Sequence, residues 1–208
     1  MTSTIFEKTQ RCVWKLALRL PFSKSFFLIV NCYVWMGDPQ AFIKFAPMGL
    51  YLKRVVSKII VVAIASYALI KYGQLFYIVK PSPLNTLDVS LQLFPNVLGF
   101  GIGAYALLFS FPERFFSSLE TASRDKSQRI GAQGLNAIMA FPLMMIAVII
   151  LLAAIIKILK IDENSADIWG IFLVVYGMLL TMELIGVLFV SARKVIRNVV
   201  TKSDPPPS

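Results

Sequence analysis

The chain contains four long apolar stretches, which constrain its fold more than any other feature. Their bounds are Ile59–Val79, Leu91–Phe111, Leu135–Ile156 and Ile168–Ser191. A helix needs about 20 residues to cross the ~30 Å hydrocarbon core of a bilayer. Each stretch is long enough, and the 57% hydrophobic content of the chain exceeds that of ordinary soluble domains. The sequence therefore predicts an all-α, polytopic membrane protein with four transmembrane helices.

The basic residues are unevenly distributed between the segments that connect these helices. Of the 21 Lys and Arg residues, 17 lie before the first span, between the second and third, or after the fourth. Basic residues are enriched on the cytoplasmic side of membrane proteins. We therefore expect a multi-pass protein of the bacterial inner (plasma) membrane whose N- and C-termini are both cytoplasmic.

This topology divides the chain into three regions. Residues 1–57 form a cytoplasmic or interfacial amphipathic region, and residues 58–192 form the four-helix transmembrane domain with a cytoplasmic loop over 112–134. Residues 193–208 form a basic cytoplasmic tail with a disordered, Pro-rich end. Within the first region, 4–20 shows the periodicity of an amphipathic helix. The apolar run 26–36 is too short to span a bilayer and is predicted to be peripheral.

The residue types that carry most catalytic and metal chemistry are scarce. The sequence has no His and only two cysteines, Cys12 and Cys32, both predicted to lie on the reducing cytoplasmic side. His is the commonest general base and metal ligand. No nucleophile or phosphate-binding motif accompanies the apolar helices, so we expect a protein that is not an enzyme and has no cofactor, metal site or catalytic residues.

Gly99 and Gly103 form a G-x-x-x-G pattern in the second span. Small residues at this spacing allow the backbone of a neighbouring helix to approach closely. The pattern predicts either packing inside the bundle or a contact between copies in a homo-oligomer.

Two ionisable residues, Glu183 and Lys71, lie inside predicted spans. A charged group in a bilayer costs several kcal/mol or more by order of magnitude and rarely faces lipid. Their depths permit a pair between antiparallel helices, so we expect Glu183 to be a functional residue with Lys71 as one candidate partner. Alternatively, Lys71 extends outward and Glu183 bonds to Thr181, Tyr176 or Asn136.

Basic residues flank the spans on the predicted cytoplasmic side. We assign five of them to the membrane surface: Lys53, Arg54, Lys58, Arg193 and Lys194. They suit contact with anionic lipid headgroups, and they also suit electrostatic docking of a soluble cytoplasmic protein. Because a cytoplasmic location alone predicts this positive charge, the charge is weak evidence for nucleic-acid binding, and direct nucleic-acid binding is not expected.

The run LGFGIGAYALLFSFPERFF, over residues 98–116, ends a span and leads into a polar cytoplasmic segment. In this run and in its size and topology, the chain resembles small four-span inner-membrane proteins of bacterial antiphage defence, such as the membrane subunit of the Kiwa system. The resemblance implies an oligomeric membrane sensor that responds to phage attack and works with a soluble effector. It carries over no active-site residues.

These features favour a non-enzymatic, oligomeric inner-membrane sensor or scaffold that recruits a soluble cytoplasmic effector. The alternative is a small ion channel or transporter with Glu183 in the conduction path. A membrane-embedded enzyme is the third hypothesis.

The predicted topology can be tested with reporter fusions. A fusion at Ser208 and one in the turn Pro81–Asp88 are expected to report opposite sides of the membrane, because 17 of the 21 basic residues flank the same face. Activity of a periplasm-specific reporter at Ser208 would refute this orientation.

Overall fold

The structure is a computed structural model that describes residues 21–76, 85–108, 132–160 and 162–203, with isolated positions between 108 and 132. The described residues are mostly helical and contain no strand. Four helices are long and apolar enough to cross a membrane, so the predicted all-α, multi-pass architecture is confirmed. The amphipathic helix expected over 4–20, most of the loop 112–134 and the last five residues of the tail lie outside the described residues.

Six α-helices make up the described chain. They are α1 (Pro21–Trp35), α2 (Met48–Tyr51), α3 (Ser57–Phe76), α4 (Thr86–Leu108), α5 (Ala132–Ile158) and α6 (Glu163–Ser203). A 3-10 turn, Pro39–Phe42, follows α1, and a π-helical turn, Leu52–Val56, joins α2 to α3 without a break. Residues 21–47, which include α1 and the 3-10 turn, are called the N-terminal cap below.

The core lies between α4, α5 and α6, which pack against one another in all three pairings, whereas α3 packs against α6. Within the most apolar 18-residue window, 44% of α5 but only 11% of the α2–α3 span is buried. The helix α5 therefore occupies the centre of the bundle and α3 its edge. The cap helix α1 packs against α5.

The contact between α4 and α6 repeats every seven residues. The buried positions of α4 include Leu87, Phe94, Gly101 and Leu108, and a matching set on α6 is Gly170, Gly177, Leu184 and Ser191. A seven-residue repeat keeps one face of each helix against its neighbour with a small left-handed crossing. At Gly177 of α6, the absence of a side chain leaves room for a large side chain of α4, since a Cβ on Gly177 would lie 2.1 Å from the Phe94 ring.

The close contact in this repeat does not involve the predicted pair, Gly99 and Gly103. Within the described part of the chain, no atom of another helix lies within 4 Å of a Cβ built on either residue, so neither makes a close contact with the described helices. A contact between copies stays a prediction. The glycine that does so is Gly101, whose Cβ would meet Leu143 at 2.3 Å and Leu184 at 3.0 Å. Positions two residues away are rotated by about 200° around a helix, which turns Gly99 and Gly103 away from the core.

The helices that hold the first two candidate spans begin earlier than the predicted apolar stretches. The first candidate span is Met48–Tyr72 and not 59–79, so it includes the basic cluster that was expected to precede it. The second begins at Thr86, five residues before the predicted Leu91, and Pro95 lies in the interior of α4. Asn85 caps α4, since its Oδ1 accepts a hydrogen bond from the Leu87 N–H at 2.9 Å.

The close contact on α6 predicts a position-specific effect of added volume. We expect Gly177→Ala to destabilise the protein by roughly 1–3 kcal/mol, because its methyl group would overlap the fully buried Phe94 ring. Gly186→Ala on the same helix is the matched control, since nothing lies within 4 Å of its Cβ. Thermal unfolding in detergent measures both, and equal melting temperatures would contradict the packing described above.

Candidate functional site

The N-terminal cap is held on the bundle by an aromatic contact and by a turn. The ring of Tyr33 stacks on that of Phe141 in α5, with centroids 3.9 Å apart and planes 10° from parallel. Beyond the end of α1, Gly37 has φ +79°, and a Cβ there would lie 2.0 Å from the backbone nitrogen of Gly134. This position therefore needs glycine both for its backbone conformation and for its approach to the start of α5.

The end of α1 has the two hydrogen bonds of a Schellman motif. The Gly37 N–H donates to the Cys32 carbonyl at 2.9 Å, and the Met36 N–H donates to the Tyr33 carbonyl at 3.1 Å. Met36 adopts φ 56°, the left-handed conformation this motif requires. The chain thus reverses after α1 and returns toward α2.

Asn31 organises the returning segment. This side chain is fully buried, and its Nδ2 donates to the carbonyls of Ala41 at 2.7 Å and Lys44 at 2.9 Å. Its Oδ1 accepts from the Ala46 N–H at 3.0 Å and from the Tyr51 hydroxyl at 2.7 Å. A buried amide with four partners is costly to replace, so Asn31 ties α1, the 3-10 turn and α2 into one unit.

Arg54 connects this unit to the helix that follows it. Its Nη1 donates to the Val34 carbonyl at 2.8 Å, in the last turn of α1. Carbonyls at the end of a helix lack partners within the helix and interact favourably with a cation. Arg54 lies in the π-helical turn, so this turn presents its guanidinium to the end of α1.

Three side chains from three helices meet where the cap contacts the bundle, and we call them the polar cluster: Tyr33 of α1, Lys58 of α3 and Glu183 of α6. The Lys58 Nζ donates to both carboxylate oxygens of Glu183 at 2.6 Å. The Tyr33 hydroxyl donates to Glu183 Oε1 at 2.7 Å and accepts from Lys58 Nζ. Each member of the polar cluster therefore contacts the other two.

The electrostatics of the polar cluster depend on its partial burial. The Lys58 and Glu183 side chains are 28% and 22% exposed, so the ion pair is largely removed from solvent by the protein itself. Burial, followed by the hydrogen bond to Glu183, raises the pKa of the Tyr33 hydroxyl far above its usual range. Tyr33 thus stays protonated and acts as a neutral donor to the carboxylate.

The predicted pair between Glu183 and Lys71 is wrong. Lys71 is exposed near the end of its span, and Glu183 is paired with Lys58. The error follows from the expected start of the first span. Because that span begins at Met48, Lys58 lies ten residues inside it, just as Glu183 lies ten residues before Arg193 at the end of its own span.

The residues assigned to the membrane surface divide into two groups. Arg54 and Lys58 bind protein groups: Arg54 binds the Val34 carbonyl, and Lys58 binds the other two members of the polar cluster. Lys53 and Arg193 are exposed, whereas the side chain of Lys194 lies outside the described residues.

Polar contacts also join helices at the opposite end of the bundle. Lys157 of α5 pairs with Asp88 of α4, and Thr86 Oγ1 donates to Asp167 Oδ1 at 3.3 Å. Asp162 accepts the Ser165 N–H at 3.0 Å before the first turn of α6, and this hydrogen bond lowers the pKa of the exposed Asp162 carboxyl. Among the described residues, no three His, Cys, Asp or Glu side chains are grouped as metal ligands would be.

Comparisons with protein-family models, curated proteins and solved structures return no match to this chain. The candidate site therefore rests on the geometry of the polar cluster and the cap.

Sequence reasoning identified Glu183 but missed Tyr33 and Asn31. Both lie in the short apolar run 26–36, where a Tyr and an Asn interrupt a sequence of hydrophobic residues and could have indicated buried hydrogen bonds.

The ion pair predicts a specific rescue. We expect Glu183→Gln to lower the free energy of unfolding by about 3 kcal/mol, because it leaves the Lys58 ammonium without its counter-charge in a partly buried site. Adding Lys58→Met is expected to recover much of that loss. Thermal or denaturant unfolding in detergent measures both effects.

Lys71→Met is the matched control for this rescue, because Lys71 is an exposed lysine in the same span. In the Glu183→Gln background it is expected to recover nothing. Recovery by Lys71→Met, or a double-mutant cycle without coupling between Glu183 and Lys58, would show that this ion pair does not form.

Proposed function

We propose that this chain is a non-enzymatic, oligomeric sensor and scaffold of the bacterial inner membrane that recruits a soluble cytoplasmic effector, in antiphage defence. The observation that carries the proposal is the polar cluster, which joins the N-terminal cap to two candidate spans through one set of hydrogen bonds. A displacement of either span alters the contacts of the cap. This coupling is what a membrane sensor requires.

The weak attachment of α3 supports this coupling. α3 packs against α6 at the edge of the bundle, and its Lys58 supplies the cation of the polar cluster. A disturbance of the bilayer that shifts α3 relative to α6 would separate Lys58 from Glu183. Since Tyr33 bonds to both residues, its hydroxyl would lose at least one of these two hydrogen bonds in the same event.

The length of α6 supplies a surface for a partner. The candidate span ends at Arg193, but the helix continues to Ser203. Ten residues at 1.5 Å rise extend roughly 15 Å beyond the span, and Lys194, Arg197 and Lys202 lie in this extension. In the proposed topology the extension is cytoplasmic, and its positive charge suits an acidic surface on the effector.

The proposed oligomer would use the second span. Gly99 and Gly103 face away from the core, which leaves this G-x-x-x-G face open to a second copy of the chain in the bilayer.

The channel hypothesis receives less support from the geometry. Both carboxylate oxygens of Glu183 already bind Lys58, so the charge that would attract a cation is neutralised.

A buried thiol offers a test of the coupling. Cys32 is 8% exposed next to Tyr33 in α1, and burial raises the pKa of its thiol, which slows its reaction with maleimide. In a Cys12→Ser background, Lys58→Met is expected to increase the labelling rate of Cys32 at least several-fold, whereas Lys71→Met is expected to leave it unchanged. Equal labelling rates in the two variants would contradict the proposed release of the cap.

The same variants test recruitment and conduction. With a photo-crosslinking residue at the exposed Arg193 position, the wild-type chain is expected to capture one soluble protein in native cells, in an amount that Lys58→Met changes and Lys71→Met does not.

Purified wild-type protein in liposomes is expected to conduct no ions. Reproducible ion flux would overturn the scaffold proposal and favour a channel.

A further inference from the structure

Two buried hydroxyl groups on facing helices have no hydrogen-bond partner. Ser66 of α3 and Tyr176 of α6 are each 4% exposed, and neither hydroxyl oxygen has a partner among the described residues. An unsatisfied polar group in an apolar environment is strongly unfavourable, and such groups in proteins are regularly satisfied by internal water. The pair therefore points to a polar ligand between the helices.

The register of the two helices places Ser66 and Tyr176 at similar heights along the bundle. Lys58 and Glu183 pair across α3 and α6, and these helices run in opposite directions if each crosses the bilayer in turn. Ser66 lies eight residues after Lys58, and Tyr176 lies seven residues before Glu183. At 1.5 Å per residue these separations are about 12 and 10.5 Å, so both residues lie about two turns along their helices from the polar cluster.

Other hydroxyls in the spans behave differently from that of Ser66. Those of Ser57, Ser90, Thr181 and Ser191 each donate to the carbonyl four residues earlier in their own helix. This local bond is the usual solution for a hydroxyl inside a helix. Ser66 could satisfy its donor in the same way but does not, so its hydroxyl is free to bind a group outside α3.

We propose that the interface between α3 and α6 holds an ordered water molecule bound by the hydroxyls of Ser66 and Tyr176. The neighbouring positions, Val62 and Leu180, are buried and apolar, so the water would be enclosed within the span. Water both donates and accepts hydrogen bonds and can therefore satisfy both hydroxyls at once. The proposal does not depend on the proposed sensor function.

Single-atom substitutions test this site, because each removes one oxygen and leaves the rest of the side chain in place. If a water bridges the two hydroxyls, Ser66→Ala and Tyr176→Phe each lower the melting temperature in detergent by roughly 2–4 °C, and the double variant loses about as much as one single variant. Tyr67→Phe is the control, since Tyr67 is 65% exposed on α3, and it is expected to have no effect.

Two results would overturn the proposal. If either single variant is unchanged or more stable, its hydroxyl binds nothing, and if the two losses are additive, the hydroxyls do not share a ligand. An electron-microscopy map that resolves ordered water then separates a bridging water from a direct bond. Density within hydrogen-bonding distance of both oxygens supports the site, and direct contact between the two hydroxyls excludes it.

Discussion

The ion pair between Lys58 and Glu183 is the interaction on which the arrangement of α3 and the cap depends. A carboxylate inside an apolar span is unfavourable unless a counter-charge and hydrogen-bond donors accompany it. Lys58 supplies the charge and Tyr33 supplies a neutral donor. Because these residues come from α1, α3 and α6, the requirement of a single carboxylate brings together three elements that are far apart in the sequence.

Packing of a different kind holds the centre of the bundle. The contact of α4 with α6 relies on glycine opposite a large side chain, as at Gly177 and Phe94, and on a seven-residue repeat of buried positions. In a bilayer, helix association depends on such close fitting, because lipid tails are as apolar as leucine. The bundle therefore combines a closely packed unit of α4, α5 and α6 with an edge helix held by polar contacts.

The number and approximate location of the spans could be predicted because length and apolar composition decide them. The start of the first span could not be predicted in the same way. Arg54 and Lys58 look in the sequence like basic residues that flank a membrane span, and their polar partners are brought close only by the fold. The core role of Gly101 was open to prediction, because it shares a seven-residue spacing with Phe94 and Leu108. The local G-x-x-x-G pattern concealed it. The hydrogen bonds of Asn31 and Tyr33 could not be predicted, because their partners lie in segments whose sequence has no motif that would indicate these contacts.

The burial of an ion pair is weak evidence for a gain in stability. Replacing a buried ion pair with apolar residues of similar volume is often neutral or stabilising, and the cap already has apolar contacts with α5, including the stacked rings of Tyr33 and Phe141. An apolar contact in place of the polar cluster would hold the cap but would tolerate small displacements of α3. Hydrogen bonds of 2.6–2.7 Å depend steeply on distance and direction, so they fail when the helices shift. In the proposed function, this sensitivity to geometry is what would couple the membrane helices to the cap.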